Sequence, residues 1–148
     1  MKDYIKLATR TEPSEEQYAE TLQRLAQPET IRLLHSFIGK ATEVGELLDA
    51  LKKHIFYGKE LDVVNIAEEF GDDKWYSAIG TDALADMFGI PAEELDDKIE
   101  IINIEKLQTR YPGKFSESDA INRDTSSERE ILDQVVVNKC NCSCGCNG

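Results

Sequence analysis

The chain has 148 residues, 41% hydrophobic and 31% charged, with 29 acidic against 17 basic side chains and a formal net charge of -12. A surface of that sign repels nucleic-acid backbones and anionic membranes, which argues against duplex nucleic acid as a partner. No run approaches the roughly 20 apolar residues that span a bilayer, and "MKDYIKLATRTEPSEE" at the amino terminus has no continuous apolar segment of the secretory type.

In chain order the sequence predicts helices almost throughout. Ser14 caps a first helix, with Gln17 three residues on to complete a capping box. Pro28 suits the first turn of a second helix, which runs to about Tyr57 and stops at Gly58. A third starts near Asp62 and ends at Gly89; Pro91 opens a fourth, which reaches about Arg110 and ends before Pro112. After the loop "PGKFSES", Ser116 or Ser118 caps a weaker fifth helix across "DAINRDTSSEREILDQVV". Strand-like alternation is missing, so the expected fold is an all-α helical bundle in one domain, residues 1–137. From Asn138 the composition turns to Asn, Cys, Ser and Gly, a flexible tail holding all four cysteines: Cys140, Cys142, Cys144 and Cys146. A body without cysteine fits a reducing cytoplasm rather than a disulfide scaffold.

Plotted at 100° per residue, the second helix has a broad apolar arc: Ile31, Leu33, Leu34, Phe37, Ile38, Ala41, Val44, Leu48, Leu51 and Ile55. This arc is expected to face the core. Glu43 and Glu46 lie on the other side with the small residues Gly39 and Ala50, and Lys53 is close to Glu46 in angle. On the third helix Val63, Ile66, Phe70, Ser77, Leu84 and Phe88 form the apolar arc, while Asn65, Glu69, Asp72, Tyr76 and Ala83 share another stripe.

Glu43 and Glu46 are spaced i,i+3, and Glu69 and Asp72 repeat the spacing. The short turn "FYGKELD" implies an antiparallel hairpin with Gly58 at its tip. Glu46 lies 12 residues before Gly58 and Glu69 lies 11 after it, so the pairs arrive at about the same height. Four converging carboxylates repel one another unless a hard divalent cation with oxygen ligands resolves the conflict. Mg²⁺ usually takes only a few carboxylates together with substrate phosphates, which points to phosphate chemistry.

The stretch "EVGELLDALKKHIFYGKELDVVNIAEEFGDDKWY" resembles the MazG-like all-α nucleoside triphosphate pyrophosphohydrolases. Their ExxE–spacer–ExxD signature here reads Glu43-x-x-Glu46, 22 intervening residues, then Glu69-x-x-Asp72. "NIEKLQTRYPGKF" is similar to the family's next helix, and "FSESDAINRDTSSEREIL" resembles the carboxy-terminal extension of phage-type members, so the likeness spans about residues 30–132. It implies hydrolysis of NTP to NMP and pyrophosphate, with Glu43, Glu46, Glu69 and Asp72 at the Mg²⁺-binding positions and Mn²⁺ as a substitute. Which carboxylate takes the proton of the attacking water stays open, with Glu43 the first choice. The resemblance also implies a homodimer or homotetramer. Related readings are phosphoribosyl-ATP pyrophosphohydrolase, hydrolysis of (p)ppGpp, and a non-catalytic metal-dependent nucleotide-binding protein. At Asp73 and Lys74 the chain departs from the family, whose members more often carry apolar residues there.

Asn103, Lys106 and Arg110 follow one another at i, i+3 and i+7, so one face presents them together, either as a clamp for triphosphate or base or as an ordinary basic stripe on an acidic protein. The resemblance supports Asn103 and Lys106 in that role. Lys53 either reaches phosphate or pairs with Asp49 at i,i+4. Trp75 and Tyr76 are read first as core or interface, with stacking on a base as the alternative, kept for Tyr76 because it shares the Glu69 stripe. The CxCxCxC tail suits a soft metal but is not expected to take part in catalysis.

Overall fold

The computed structural model describes residues 3–135 of the chain. The described residues form seven helices joined by turns and loops, and none of them is in a strand. They are α1 (Tyr4–Thr9), α2 (Glu15–Leu25), α3 (Pro28–Tyr57), α4 (Val63–Phe88), α5 (Ala92–Arg110), α6 (Glu117–Ile121) and α7 (Thr125–Asp133). The cysteine tail lies outside the described residues. No described helix is long and apolar enough to cross a membrane.

Local chemistry explains most boundaries. Ser14 Oγ accepts from the Gln17 amide at 3.3 Å while Gln17 Oε1 accepts from the Ser14 amide at 2.8 Å, the reciprocal capping box that the spacing predicts. Pro28 occupies the first turn of α3, and Gly58 ends the helix in the left-handed region at φ 64°. Asp62 starts α4, its Oδ1 accepting from the amides of Val64 and Asn65, both at 3.1 Å.

Two elements depart from the predicted order. A short α1 precedes the capped α2, a helix the sequence reading leaves out. The expected single fifth helix is two, α6 and α7. Ser116 caps α6, and Asp124 then starts a new helix by accepting from the Ser127 amide at 3.1 Å and from the hydroxyls of Ser126 and Ser127 at 2.7 Å.

The chain divides into two compact units between Ala83 and Leu84, inside α4. In the first unit α2 packs on α3, and α3 and α4 form the predicted antiparallel hairpin. The register is visible in its cross-links. Arg32 pairs with Asp82, Ser36 Oγ donates to the Tyr76 carbonyl at 2.6 Å, and Lys40 Nζ meets Asp73 Oδ1 and Ser77 Oγ, each at 2.6 Å. Each step back along α3 from Gly58 is matched by a step forward along α4. Close approach depends on two glycines. A Cβ at Gly39 would lie 2.1 Å from the Tyr76 ring, and one at Gly80 would lie 2.5 Å from Ser36 Oγ.

The facing of α3 is the reverse of the one expected from its apolar arc. Its buried residues are Ser36, Gly39 and Glu43, whereas Phe37, Leu48 and Ile55 are about 62–64% exposed. Val63 and Phe70 of the corresponding α4 arc are also exposed. The small residues win the seam because they let two backbones come close, and a pair of helices cannot also cover an arc on its outer side.

In the second unit α5 packs on α7. Glu128, only 3% exposed, receives Arg110 Nε at 2.8 Å and Arg123 at 2.6 Å. The two guanidiniums hold its carboxyl down at about pKa 2, Arg110 contributing most.

Candidate functional site

The α3–α4 seam turns the two ExxE/ExxD pairs into one acidic group. Glu43, Glu69 and Asp72 each offer a carboxylate oxygen, and the three oxygens lie within 4.8 Å of one another. Glu43 is 8% and Glu69 5% exposed, while Asp72 opens to solvent. Burying two like-charged groups together is unfavourable. The Glu69 carboxyl is accordingly pushed up to about 7, first by the adjoining Glu43 carboxyl, then by burial and by the charge of Glu46. Asn65 opposes this shift by donating from Nδ2 to Glu69 Oε1 at 3.0 Å. Thr42 Oγ1 lies 3.2 Å from Glu43 Oε1 and 2.7 Å from the Gly39 carbonyl.

Glu46, the fourth signature carboxylate, stands outside this three-oxygen set and lines an open groove of about 530 Å³ toward the hairpin tip. Gly45, Asp49, Ala50 and Lys53 of α3, the turn residues Lys59, Glu60 and Asp62, and Asn65 of α4 complete the lining. Lys53 Nζ is 2.5 Å from Asp49 Oδ2, the pairing that the sequence left as one of two options, and it also lines the groove.

The donor set suits a hard divalent cation. All three ligating groups are carboxylates, and oxygens within 4.8 Å are on the scale of the roughly 4 Å that separates opposite ligands of octahedral Mg²⁺. Soft ions that prefer sulfur or imidazole find neither in this set.

The remaining predicted residues make contacts of their own. The Tyr76 ring lies over Gly39, one turn beyond Asp72, and meets His35 edge-on at 5.7 Å between centroids and Trp75 at 4.7 Å. Trp75, read from sequence as core or interface, is 56% exposed. Asn103 and Lys106 belong to the second unit and bond to each other, Lys106 Nζ donating to Asn103 Oδ1 at 2.8 Å. Arg110, in the same unit, is taken up by Glu128.

Three contributors escaped the sequence reading. Asn65 stands four residues before Glu69 on its stripe, a spacing that could have flagged it as a hydrogen-bond partner. Lys59 gives no sequence signal because its position in the groove depends on how the turn folds. The Lys40–Asp73–Ser77 link explains the hydrophilic residue at Asp73: it forms a cross-helix ion pair. Comparison with family models, curated proteins and solved structures finds no match for this chain.

Proposed function

We propose that the chain is a Mg²⁺-dependent nucleoside triphosphate pyrophosphohydrolase of the MazG-like all-α type, acting as a homo-oligomer on nucleotides or deoxynucleotides. The observation that carries this reading is the convergence of the Glu43, Glu69 and Asp72 carboxylates in a partly buried seam beside an open groove. Three acids brought together at a repulsive cost need a reason, and a divalent cation that also engages phosphate supplies one. Bound there, Mg²⁺ would neutralise phosphate charge and lower the pKa of an attacking water. Glu43, Glu69 and Asp72 would hold it, and Mn²⁺ would substitute.

The reaction adds water across the α–β phosphoanhydride, giving the monophosphate and pyrophosphate. A carboxylate outside the ligand set must take the water's proton. Glu46 fits that role better than Glu43, since Glu43 belongs to the three-oxygen set and Glu46 faces the groove. The homo-oligomer is supported by the exposed apolar side of α3, where Phe37, Ile38, Leu48 and Ile55 form an uncovered face on a charged, acidic protein.

The test is pyrophosphate release from a panel of NTPs, dNTPs, phosphoribosyl-ATP and ppGpp, with and without Mg²⁺. Mg²⁺-dependent release from a nucleotide supports the reading and identifies the substrate. No turnover on any member, with helical circular dichroism intact, overturns it in favour of a non-catalytic nucleotide-binding role.

A further inference from the structure

We infer that the groove at the hairpin end is the pyrophosphate subsite, with Lys59 as the cation that anchors the leaving group. This rests on the pyrophosphohydrolase reading above and adds a direction to it.

The groove begins where the carboxylate set ends. Glu46 lines it, and Asn65 lines it while donating to Glu69. In the other direction along the seam the Tyr76 ring covers Gly39 with Trp75 and His35 packed around it, aromatic surface that offers a polyphosphate few donors. A chain of phosphates leaving the carboxylates is therefore received better on the groove side.

Four acids line the groove, Glu46, Asp49, Asp62 and, next to Lys59 in the turn, Glu60, so its available cations must be identified. Asp49 is neutralised by Lys52 and Lys53, whose ammonium groups hold its carboxyl down at about pKa 2. Asp62 spends Oδ1 on two amides of α4. Glu46 belongs to the acidic face beside Glu69. Lys53 lies about two turns, roughly 10 Å, along α3 from Glu46, and helical side chains lean toward the amino terminus, so its ammonium points back up the groove. It is nonetheless bound to Asp49. Lys59 lines the groove with no ion-pair partner among the described residues.

The backbone of Lys59 is also fixed. Its amide donates to the Lys53 carbonyl at 3.2 Å, and its carbonyl lies 2.8 Å from His54 Nδ1. Gly58 at φ 64° makes that turn possible. A lysine whose peptide is held on both sides lines the groove, and its ammonium has no ion pair among the described residues. The chemistry it fits is the terminal diphosphate of the substrate, which leaves as pyrophosphate.

Calorimetric titration of the full chain with inorganic pyrophosphate in the presence of Mg²⁺ tests this, using wild type, Lys59→Ala and Lys59→Arg, with a nucleoside monophosphate series as control. Lys59→Ala should weaken pyrophosphate binding about tenfold. Lys59→Arg should restore most of it, and monophosphate affinity should not change. Equal pyrophosphate affinity in wild type and Lys59→Ala overturns the inference, as does a parallel loss for monophosphates or the absence of pyrophosphate binding to wild type. Failure of the nucleotide turnover panel is a separate outcome: it removes the enzyme reading, whereas these titrations decide the subsite.

Discussion

Glu43 and Glu69 face each other across the α3–α4 seam, both almost fully buried, with carboxylate oxygens within 4.8 Å and a third acid, Asp72, completing the set. Two helices come together here on small residues, yet at this point the seam brings like charges together. The Glu69 carboxyl is raised to about 7, first by Glu43 and then by burial, the direction in which keeping a proton relieves that repulsion without a cation.

That proton fixes the direction of a stability measurement. A raised folded pKa contributes stability that is complete below the ordinary value of 4.5 and is lost as pH rises through about 7. In chelator, the urea midpoint of the wild-type chain should therefore fall between pH 5 and pH 8. Glu69→Gln should flatten that part of the profile, since the amide needs no proton. Adding Mg²⁺ at pH 8 should raise the wild-type midpoint, because an ion that binds only the folded state stabilises it. A wild-type profile identical to that of Glu69→Gln would show that the carboxyl does not titrate in the seam.

Glu46 and Asp72 should separate chemistry from metal binding. Glu46→Gln removes the proposed proton acceptor and should lower turnover about 100-fold or more while leaving Mn²⁺ affinity near wild type. Asp72→Asn removes a proposed ligand and should weaken Mn²⁺ binding about tenfold or more, with turnover falling alongside. Mn²⁺ paramagnetic resonance and pyrophosphate release report the two effects independently. Equal loss of Mn²⁺ affinity in both variants would place Glu46 among the ligands.

Two glycines of the hairpin, Gly39 and Gly71, should respond in opposite ways. Alanine at Gly39 puts its Cβ against the Tyr76 ring, which is packed beside His35 and Trp75, so relief requires the helices to part. Overpacking of this kind costs about 1–3 kcal/mol. Gly71 lies within α4 with open space around its would-be Cβ, and alanine there should stabilise by about 0.5–1 kcal/mol. Thermal melts of the two variants decide it, and destabilisation by Gly71→Ala would mean that something covers that position in the assembled protein.

The hairpin and its acidic pairs were legible in the sequence because they depend on counting: Pro28, Gly58 and Asp62 mark the ends, and the i,i+3 acids sit within one residue of the same distance from the tip. The facing of α3 was not. A rule that sends the broad apolar arc inward assumes that the partner surface lies in the same subunit, whereas Ser36, Gly39 and Glu43 are the residues buried against α4. The split of the last helix was missed because Asp124 competes as a cap within a stretch of ordinary helical composition. Lys59 was missed because its role depends on a turn that only the folded backbone defines.

Glu128 gives a second pH-dependent contact, in the other unit and with opposite sign. Its folded pKa is depressed to about 2, so its contribution is present above the ordinary 4.5 and is lost as pH falls from there through about 2. Acid unfolding followed by circular dichroism should show a transition in that range that Glu128→Gln removes. The variant should also melt at a lower temperature at pH 7, because Arg110 and Arg123 lose their common partner. An unchanged melt would mean that the packing of α7 on α5 does not depend on the pair.

The outer face of α3 carries the last prediction. Phe37 and Leu48, each 62% exposed, and Ile55, 64% exposed, lie on the side turned away from α4. Fully burying one such side chain is worth about 1.5–3 kcal/mol, and in a two-fold dimer each position counts twice. Sedimentation at micromolar concentration should therefore give a dimer or a larger closed assembly, with thermal stability that falls on dilution. Phe37→Glu with Leu48→Glu should shift the chain toward monomer, since the charges would have to be buried at the interface. Neither residue lies in the seam, so the monomer should keep its Mn²⁺ affinity if the carboxylate set is complete within one chain. Loss of Mn²⁺ binding together with the assembly would show instead that the helix pair holds its register only when the apolar face is covered.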